Sequence, residues 1–351
     1  MSLPTPRSTV ARMAGYTPGE QPKPGERVIK LNTNENPYPP SPAVFDAIRA
    51  LGADALRRYP SPTADEFRRV AARVHGVTPA QVIAGNGSDD ILQIALRTYC
   101  AAGDVLASPD PTYSLYPVLA DLADVTFVTV AWDEGWALPV EALLATGARA
   151  IFFANPNAPS GTWVAPATVS ALAARTDALV LVDEAYVDFA DDSCLGLLAQ
   201  HQNVLITRTL SKGYGLAGLR FGYAVGHPSI IEQMGKVKDS YNCDAIAIAA
   251  AAAALADQAY ARDVWTRVRD ERARVTSALT GLGFAVIPSH ANFVLATTPG
   301  AVYARPIYEA LKARGILIRF FDKPGLNDKL RITIGTPEEN DALLAALSQG
   351  G

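Results

Sequence analysis

Seven short, almost unbroken apolar runs lie at residues 81–85, 105–108, 125–130, 150–154, 178–183, 204–209 and 221–225, separated by helix-length segments. A strand with one wet face alternates apolar and polar residues, so runs this continuous belong to strands covered on both faces. Strands of that kind line up in a mainly parallel sheet sandwiched between helices, and an α/β fold with a seven-stranded sheet is the expectation. Helical periodicity at 42–51, 65–75 and 89–98 supplies covering layers. After 221–225 the pattern changes. One long helical stretch is expected from 244 to about 282, followed by short strands at 284–287, 292–297, 316–319 and 330–334 and helices at 303–314 and from 337 onward. This second part reads as a smaller α+β domain beside the sheet.

Composition removes several classes of function. The 351 residues carry 31 Lys and Arg against 35 Asp and Glu, a net charge of −4, with no basic run able to neutralise a nucleic-acid backbone. The alanine-rich run 245–256 is twelve residues long, short of the ~20 needed to cross a bilayer, and reads as a buried helix. Residues 1–7 contain no apolar core of signal-peptide length, so a cytoplasmic protein is expected. Cys100, Cys194 and Cys243, with His75, His201, His227 and His290, are too scattered to suggest a disulfide framework or a zinc cluster.

Four segments can carry chemistry. Thr209-Leu210-Ser211-Lys212-Gly213, just past a buried strand, puts a lysine where desolvation and nearby positive charge would lower its pKa, as a Schiff-base nucleophile requires. Arg220 follows as a second fixed cation suited to a phosphate ester. Asp183-Glu184-Ala185-Tyr186 ends another strand with a carboxylate and a phenol, at the edge where α/β sheets bind ligands. An Asp there can hold a pyridine nitrogen protonated, and a Tyr can bond the oxygen of the same ring. Gly85-Asn86-Gly87-Ser88-Asp89 is a glycine turn entering a helix, a place for a phosphate. Tyr113, in Pro109-Asp110-Pro111-Thr112-Tyr113, offers a ring that could stack on a flat cofactor. Taken singly, each also fits a plainer part: a loop lysine, a helix cap, a common βα turn, a core tyrosine.

Together with Asn32-Thr33-Asn34-Glu35-Asn36-Pro37, Tyr59-Pro60, Asn155-Pro156-Asn157-Ala158-Pro159-Ser160-Gly161 and Leu330-Arg331-Ile332-Thr333-Ile334-Gly335-Thr336, these segments resemble the fold-type I pyridoxal-phosphate aminotransferases. Within that family the match is closest to the histidinol-phosphate aminotransferases, and it runs from about residue 12 to 348. The resemblance implies residues 1–40 as an arm serving the small domain and a dimer, 41–265 as a large cofactor-binding domain and 266–351 as the small domain. It implies pyridoxal 5′-phosphate held as a covalent aldimine on Lys212, which also moves the proton between substrate and cofactor. Asp183 would keep the ring nitrogen protonated, Tyr186 would bond the ring oxygen and Tyr113 would stack on the ring. Gly87, Ser88, Asp89, Thr209, Ser211 and Arg220 would hold the phosphate, joined by Tyr59 from the other subunit of a homodimer with shared active sites. One departure stands out: Ala158 occupies the place of the family asparagine beside the ring oxygen, so that either Asn157 or Asn155 substitutes through a shifted loop or Tyr186 makes the contact alone, Asn157 being the favoured replacement.

For substrates the resemblance points to Arg331 for a carboxylate, Arg319 for a phosphate, and Tyr16, Glu35, Asn36, Tyr241 and Asn242 around the donor. It implies transfer of the amino group of L-histidinol phosphate to 2-oxoglutarate, giving imidazole acetol phosphate and L-glutamate, a ping-pong step of histidine biosynthesis passing through pyridoxamine phosphate. An aromatic amino-acid aminotransferase and a threonine-phosphate decarboxylase are the alternatives on the same scaffold. A DNA-binding regulator reusing the fold is not expected, since only 31 residues precede the Asn32–Pro37 segment and no basic recognition helix is visible.

Overall fold

The computed structural model describes residues 3–16, 19–23 and 25–349. All seven apolar runs form strands of one sheet, at Val82–Gly85, Val105–Asp110, Thr126–Ala131, Ala150–Ala154, Leu179–Asp183, Val204–Thr209 and Gly222–Gly226. Numbered one to seven along the chain, they lie in the order 1-7-6-5-4-2-3. Gly222–Gly226 runs antiparallel to both of its neighbours, and the other pairings are parallel. The continuous apolar patterns have the expected cause. Leu179, Leu181 and Leu205 face a core with Ile91, Leu92 and Leu96 of the helix Ser88–Tyr99. Val180, Val182, Val204 and Ile206 face a second core with Val169 and Leu172 of the helix Pro166–Ala173. The inner strands are thus buried on both sides, with alternate residues serving different helical layers. The edge strand Thr126–Ala131 departs from the expectation: it pairs on one side only and none of its residues is buried.

The expected single helix from 244 to about 282 is two helices, Ala245–Ala256 and Gln258–Gly281. Asp257 separates them because its carboxylate accepts bonds from Ser41 Oγ (2.6 Å) and from the Tyr260 amide (3.2 Å), capping the second helix and holding the first turn of the chain's early helix Pro42–Arg49. The second helix begins in the large core with Ala261 and runs into the small-domain core from Val268 onward, with Trp265 touching both.

The expected strand at 316–319 is also two pieces. Ile316–Leu317 pairs in parallel with Ile29–Lys30 of the amino-terminal arm, while Arg319–Phe320 pairs antiparallel with Lys329–Thr333. Lys329–Thr333 and Phe293–Thr297 form the centre of a four-stranded antiparallel sheet. Through the Ile29–Ile316 pairing and a bond from the Thr333 amide to Leu31 O (3.0 Å), the arm is stitched to the small sheet and carries residues 32–36 across the edge of the large one.

Candidate active site

Asp183 and Thr209 end parallel strands, and Gly222 begins the antiparallel strand opposite both Thr209 and Gly85. Their ends therefore meet at one edge of the sheet, where a cavity of about 900 Å3 opens beneath the arm and the small sheet. Its size suits a cofactor together with a substrate.

Lys212 projects into this cavity, with Nζ donating to Thr33 O (2.9 Å) and lying 5.8 Å from the centre of the Tyr186 ring. Burial, reinforced by the Arg331 charge, pulls the amine down to about 8. The loop is pinned from behind: Asn36 Nδ2 donates to Lys212 O (3.0 Å), and Trp265 Nε1 donates to Gly213 O (2.8 Å).

Asp183 is almost wholly buried. Tyr116 Oη donates to one carboxylate oxygen and Thr207 Oγ1 to the other, each at 3.1 Å. Desolvation outweighs these bonds and lifts the carboxyl to about 6. A carboxylate kept in such a place gains most from a cationic partner supplied by a ligand. Tyr186 receives a bond at Oη from Asn34 Nδ2 (3.0 Å), and its ring stands edge-on to Phe293. Tyr113 packs edge-on to Tyr116 and donates to Asp89 Oδ1 (3.2 Å).

A second cluster forms where the helix Ser88–Tyr99 starts. Gly87 takes φ +88°, and a Cβ there would lie 2.7 Å from the Arg220 guanidinium. Across the turn, a Cβ on Gly222 would collide with the Ser88 amide nitrogen, so glycine on the strand lets the turn lie against it. Thr209 Oγ1 donates to Ser211 Oγ (3.0 Å), and Arg220 Nη1 donates to the same Ser211 oxygen (3.3 Å). Two hydroxyls, a guanidinium and helix-start amides converge there, a donor set matched to a phosphate. The Asp89 carboxylate is engaged by Tyr113 and by Arg220 (3.4 Å), leaving its backbone amide rather than its side chain for an anion.

Arg319 and Arg331 line the opposite wall with Tyr16 and Glu35. Burial would raise the Glu35 carboxyl, but bonds from Lys30 and Thr33 hold it below the usual range. Several expected contacts fall elsewhere. Asn157 is buried behind Ala158, its amide donating to Ser160 Oγ (2.8 Å) and Pro111 O (3.2 Å), so Ala158 and not Asn157 faces the cavity. Asn155 is likewise used, bonding both ways to the Val164 backbone. Asn36 braces the lysine loop, and Asn242 donates to Ala84 O (3.3 Å) and Asp90 Oδ2 (2.9 Å) behind the glycine turn. Tyr59 and Tyr241 stack on each other outside the cavity, with ring centres 4.4 Å apart. Tyr116, Thr207 and Asn34 are the partners that sequence reasoning missed. Asn34 stands in a quoted motif and Tyr116 one helical turn after Tyr113, but their targets are set by the tertiary fold.

The family model for aminotransferase class I and II matches residues 26–347. This chain belongs to the class I and II aminotransferases. It is 48% identical over 341 residues to histidinol-phosphate aminotransferase 1 of Trichormus variabilis, covering 97% of each chain. With the histidinol-phosphate aminotransferase of Rhodopirellula baltica it shares 44% over 345 residues, covering 98% of this chain and 95% of the relative. Among solved structures, histidinol-phosphate aminotransferase from Sinorhizobium meliloti in complex with pyridoxal-5′-phosphate superposes with a TM-score of 0.90 at 30% identity, covering 99% of this chain and 97% of that one. The fold is therefore that of the fold-type I pyridoxal-phosphate aminotransferases, and pyridoxal phosphate is the cofactor of this aminotransferase. Its residues fit that group: a buried carboxylate for a ring nitrogen, a lysine amine of lowered pKa, and a separate cluster of phosphate donors.

Proposed function

We propose that this aminotransferase moves the amino group of L-histidinol phosphate to 2-oxoglutarate in two half-reactions. The carrying observation is the pair Arg319 and Arg331, two guanidinia without a carboxylate partner among the described residues, facing the cavity that holds Lys212. Two cations suit a site that alternately takes a phosphate dianion and a dicarboxylate, and the names of the bacterial relatives support the same donor. When bound, pyridoxal phosphate supplies the carbonyl that takes up the amine and a ring that draws electrons from the substrate Cα–H bond.

Lys212 anchors the cofactor covalently through Nζ and, once displaced, accepts and returns the Cα proton at that atom. An amine near 8 is unprotonated in about a tenth of molecules at pH 7, far more than for an ordinary lysine, which favours it as a proton acceptor. Asp183 keeps a proton on the ring nitrogen, and the bonds from Tyr116 and Thr207 aim its two oxygens. Tyr186 Oη, oriented by Asn34, bonds the ring oxygen without help from residue 158. Ser88, Thr209, Ser211, Arg220 and the amides of Gly87, Ser88 and Asp89 receive the cofactor phosphate, while Tyr113 lies along the ring. Tyr16 and Glu35 border the donor. Tyr59, turned away from its own cavity, reaches the partner's site in a homodimer. Residues 1–40 then serve the small domain and the dimer, 41–265 hold the cofactor and 266–351 form the small domain of a cytoplasmic biosynthetic enzyme.

The test is spectroscopic. L-Histidinol phosphate added to the loaded enzyme without a keto acid is expected to convert the visible cofactor band to the near-ultraviolet band of the aminated cofactor, and 2-oxoglutarate to reverse it. A response to aromatic amino acids alone would reassign the donor; loss of carbon dioxide would point to the decarboxylase.

A further inference from the structure

Arg319 and Arg331 are direct cross-strand partners in the antiparallel pairing of Arg319–Phe320 with Lys329–Thr333. Like charges in that position repel, and a sheet built only for stability would not place them so. Among the described residues Arg319 makes neither a hydrogen bond nor an ion pair, and Arg331 makes a single bond, Nη2 to Asn32 O (2.9 Å). The Arg331 Nε is buried with no partner at all. What both guanidinia share is one ring: their carbons lie 5.4 Å and 5.5 Å from the centre of Phe321. Period-two alternation explains the arrangement, because Arg319 and Phe321 fall on the cavity side while Phe320 packs with Tyr303 and Tyr308 on the other.

We propose that Phe321 is a positioning residue whose ring face holds Arg319 and Arg331 together as one double-cation anchor for the anionic groups of the substrates. The negative face of an aromatic ring offsets part of the repulsion between two cations without neutralising them, whereas a carboxylate there would compete with the substrate. The anchor remains available to a phosphate in one half-reaction and to two carboxylates in the other. Arg331 is also held 5.3 Å from the Phe293 ring centre and by Asn32 O, so removing the Phe321 ring face, rather than its volume, frees Arg319 from the pair and weakens both classes of ligand while leaving the proton chemistry at Lys212 intact.

The inference rests on the substrate reading of this cavity, and its test is independent of donor identity. Succinate carries two carboxylates and neither amine nor ketone, so it binds the pyridoxal-phosphate-loaded enzyme without reacting, and the rise of Tm with its concentration yields a dissociation constant. Phe321→Leu is expected to weaken succinate about tenfold and Phe321→Tyr to stay within about twofold of wild type, from the usual strength of such contacts. In turnover, Phe321→Leu should raise KM for 2-oxoglutarate by a similar factor with kcat nearly unchanged. Phe321→Met takes the place of the leucine variant should that chain fail to load cofactor. Wild-type succinate affinity in Phe321→Leu, or equal loss in Phe321→Tyr, overturns the proposal. Failure of histidinol phosphate to act as donor would leave the succinate result standing and overturn only the functional reading.

Discussion

Asp183 at neutral pH is an ionised carboxylate in a place that disfavours ions. Its pKa sits at about 6 in the folded chain against an ordinary 3.8, chiefly through desolvation. For a group raised in this way, stability is undiminished below the unfolded value and is lost as pH rises through the folded one. The cofactor-free protein should therefore lose about 3 kcal/mol between roughly pH 4 and pH 7 through this residue. Asp183→Asn removes that dependence. Its stability relative to wild type, followed by denaturant unfolding of the cofactor-free forms, is expected to grow across that interval, while kcat/KM of the loaded enzyme falls on the order of 10³-fold. A difference that stays flat with pH would show that the carboxylate is not held against its solvation. That Lys212 and Asp183 share one cavity was legible in the sequence because each follows a buried strand at the edge where α/β sheets bind ligands and stands in a segment resembling the fold-type I aminotransferases. Tyr116, Thr207 and Asn34 were not, since nothing local says that three residues from a helix, a strand and an arm converge on the site. Asn157 misled for the same reason: only the folded loop reveals that its amide turns toward Ser160.

At the scale of elements, the strand runs other than the exposed edge Thr126–Ala131 were readable because burial on both faces leaves a pattern that needs no partner to interpret. The break at Asp257 and the split between Leu317 and Arg319 were hidden. Each depends on a distant segment, Ser41 in the first case and Ile29–Lys30 in the second. The glycine turn is readable as a turn but not as a close contact with the strand from Gly222. That contact makes a prediction. In Gly222→Ala the new methyl meets backbone atoms of Gly87 and Ser88, which cannot swing aside like a side chain, so the turn must move off the strand. Overpacking of this kind costs about 1–3 kcal/mol. The phosphate donors on both sides of the turn would separate, and titration of the cofactor-free variant with pyridoxal phosphate, followed by absorbance, should give a dissociation constant raised at least about tenfold. Wild-type affinity would mean that the turn has slack and that its approach to the strand does not set the phosphate cluster.

For the whole molecule, the most informative residue is one that does not reach its own cavity. Tyr59 is 80% exposed and stacks on Tyr241, itself 47% exposed, outside the cavity that Lys212 lines. An aromatic pair left this open suits burial by a second copy, and in the proposed homodimer each Tyr59 completes the neighbouring phosphate cluster. The arrangement can be tested by complementation. On the proposed roles, Lys212→Ala chains lose the cofactor anchor and Tyr59→Ala chains lose the reaching phenol, so each homodimer should be inactive or weak at limiting pyridoxal phosphate. In a mixed dimer, one site combines the intact Lys212 of the Tyr59→Ala chain with the intact Tyr59 of its partner. The other site lacks both. Refolding an equal mixture should therefore recover about a quarter of the wild-type sites, since half of randomly formed dimers are mixed and each has one complete site. If Tyr59 acted within its own chain, no mixed dimer could hold a complete site and mixing would restore nothing, so the recovered activity separates a shared site from two independent ones.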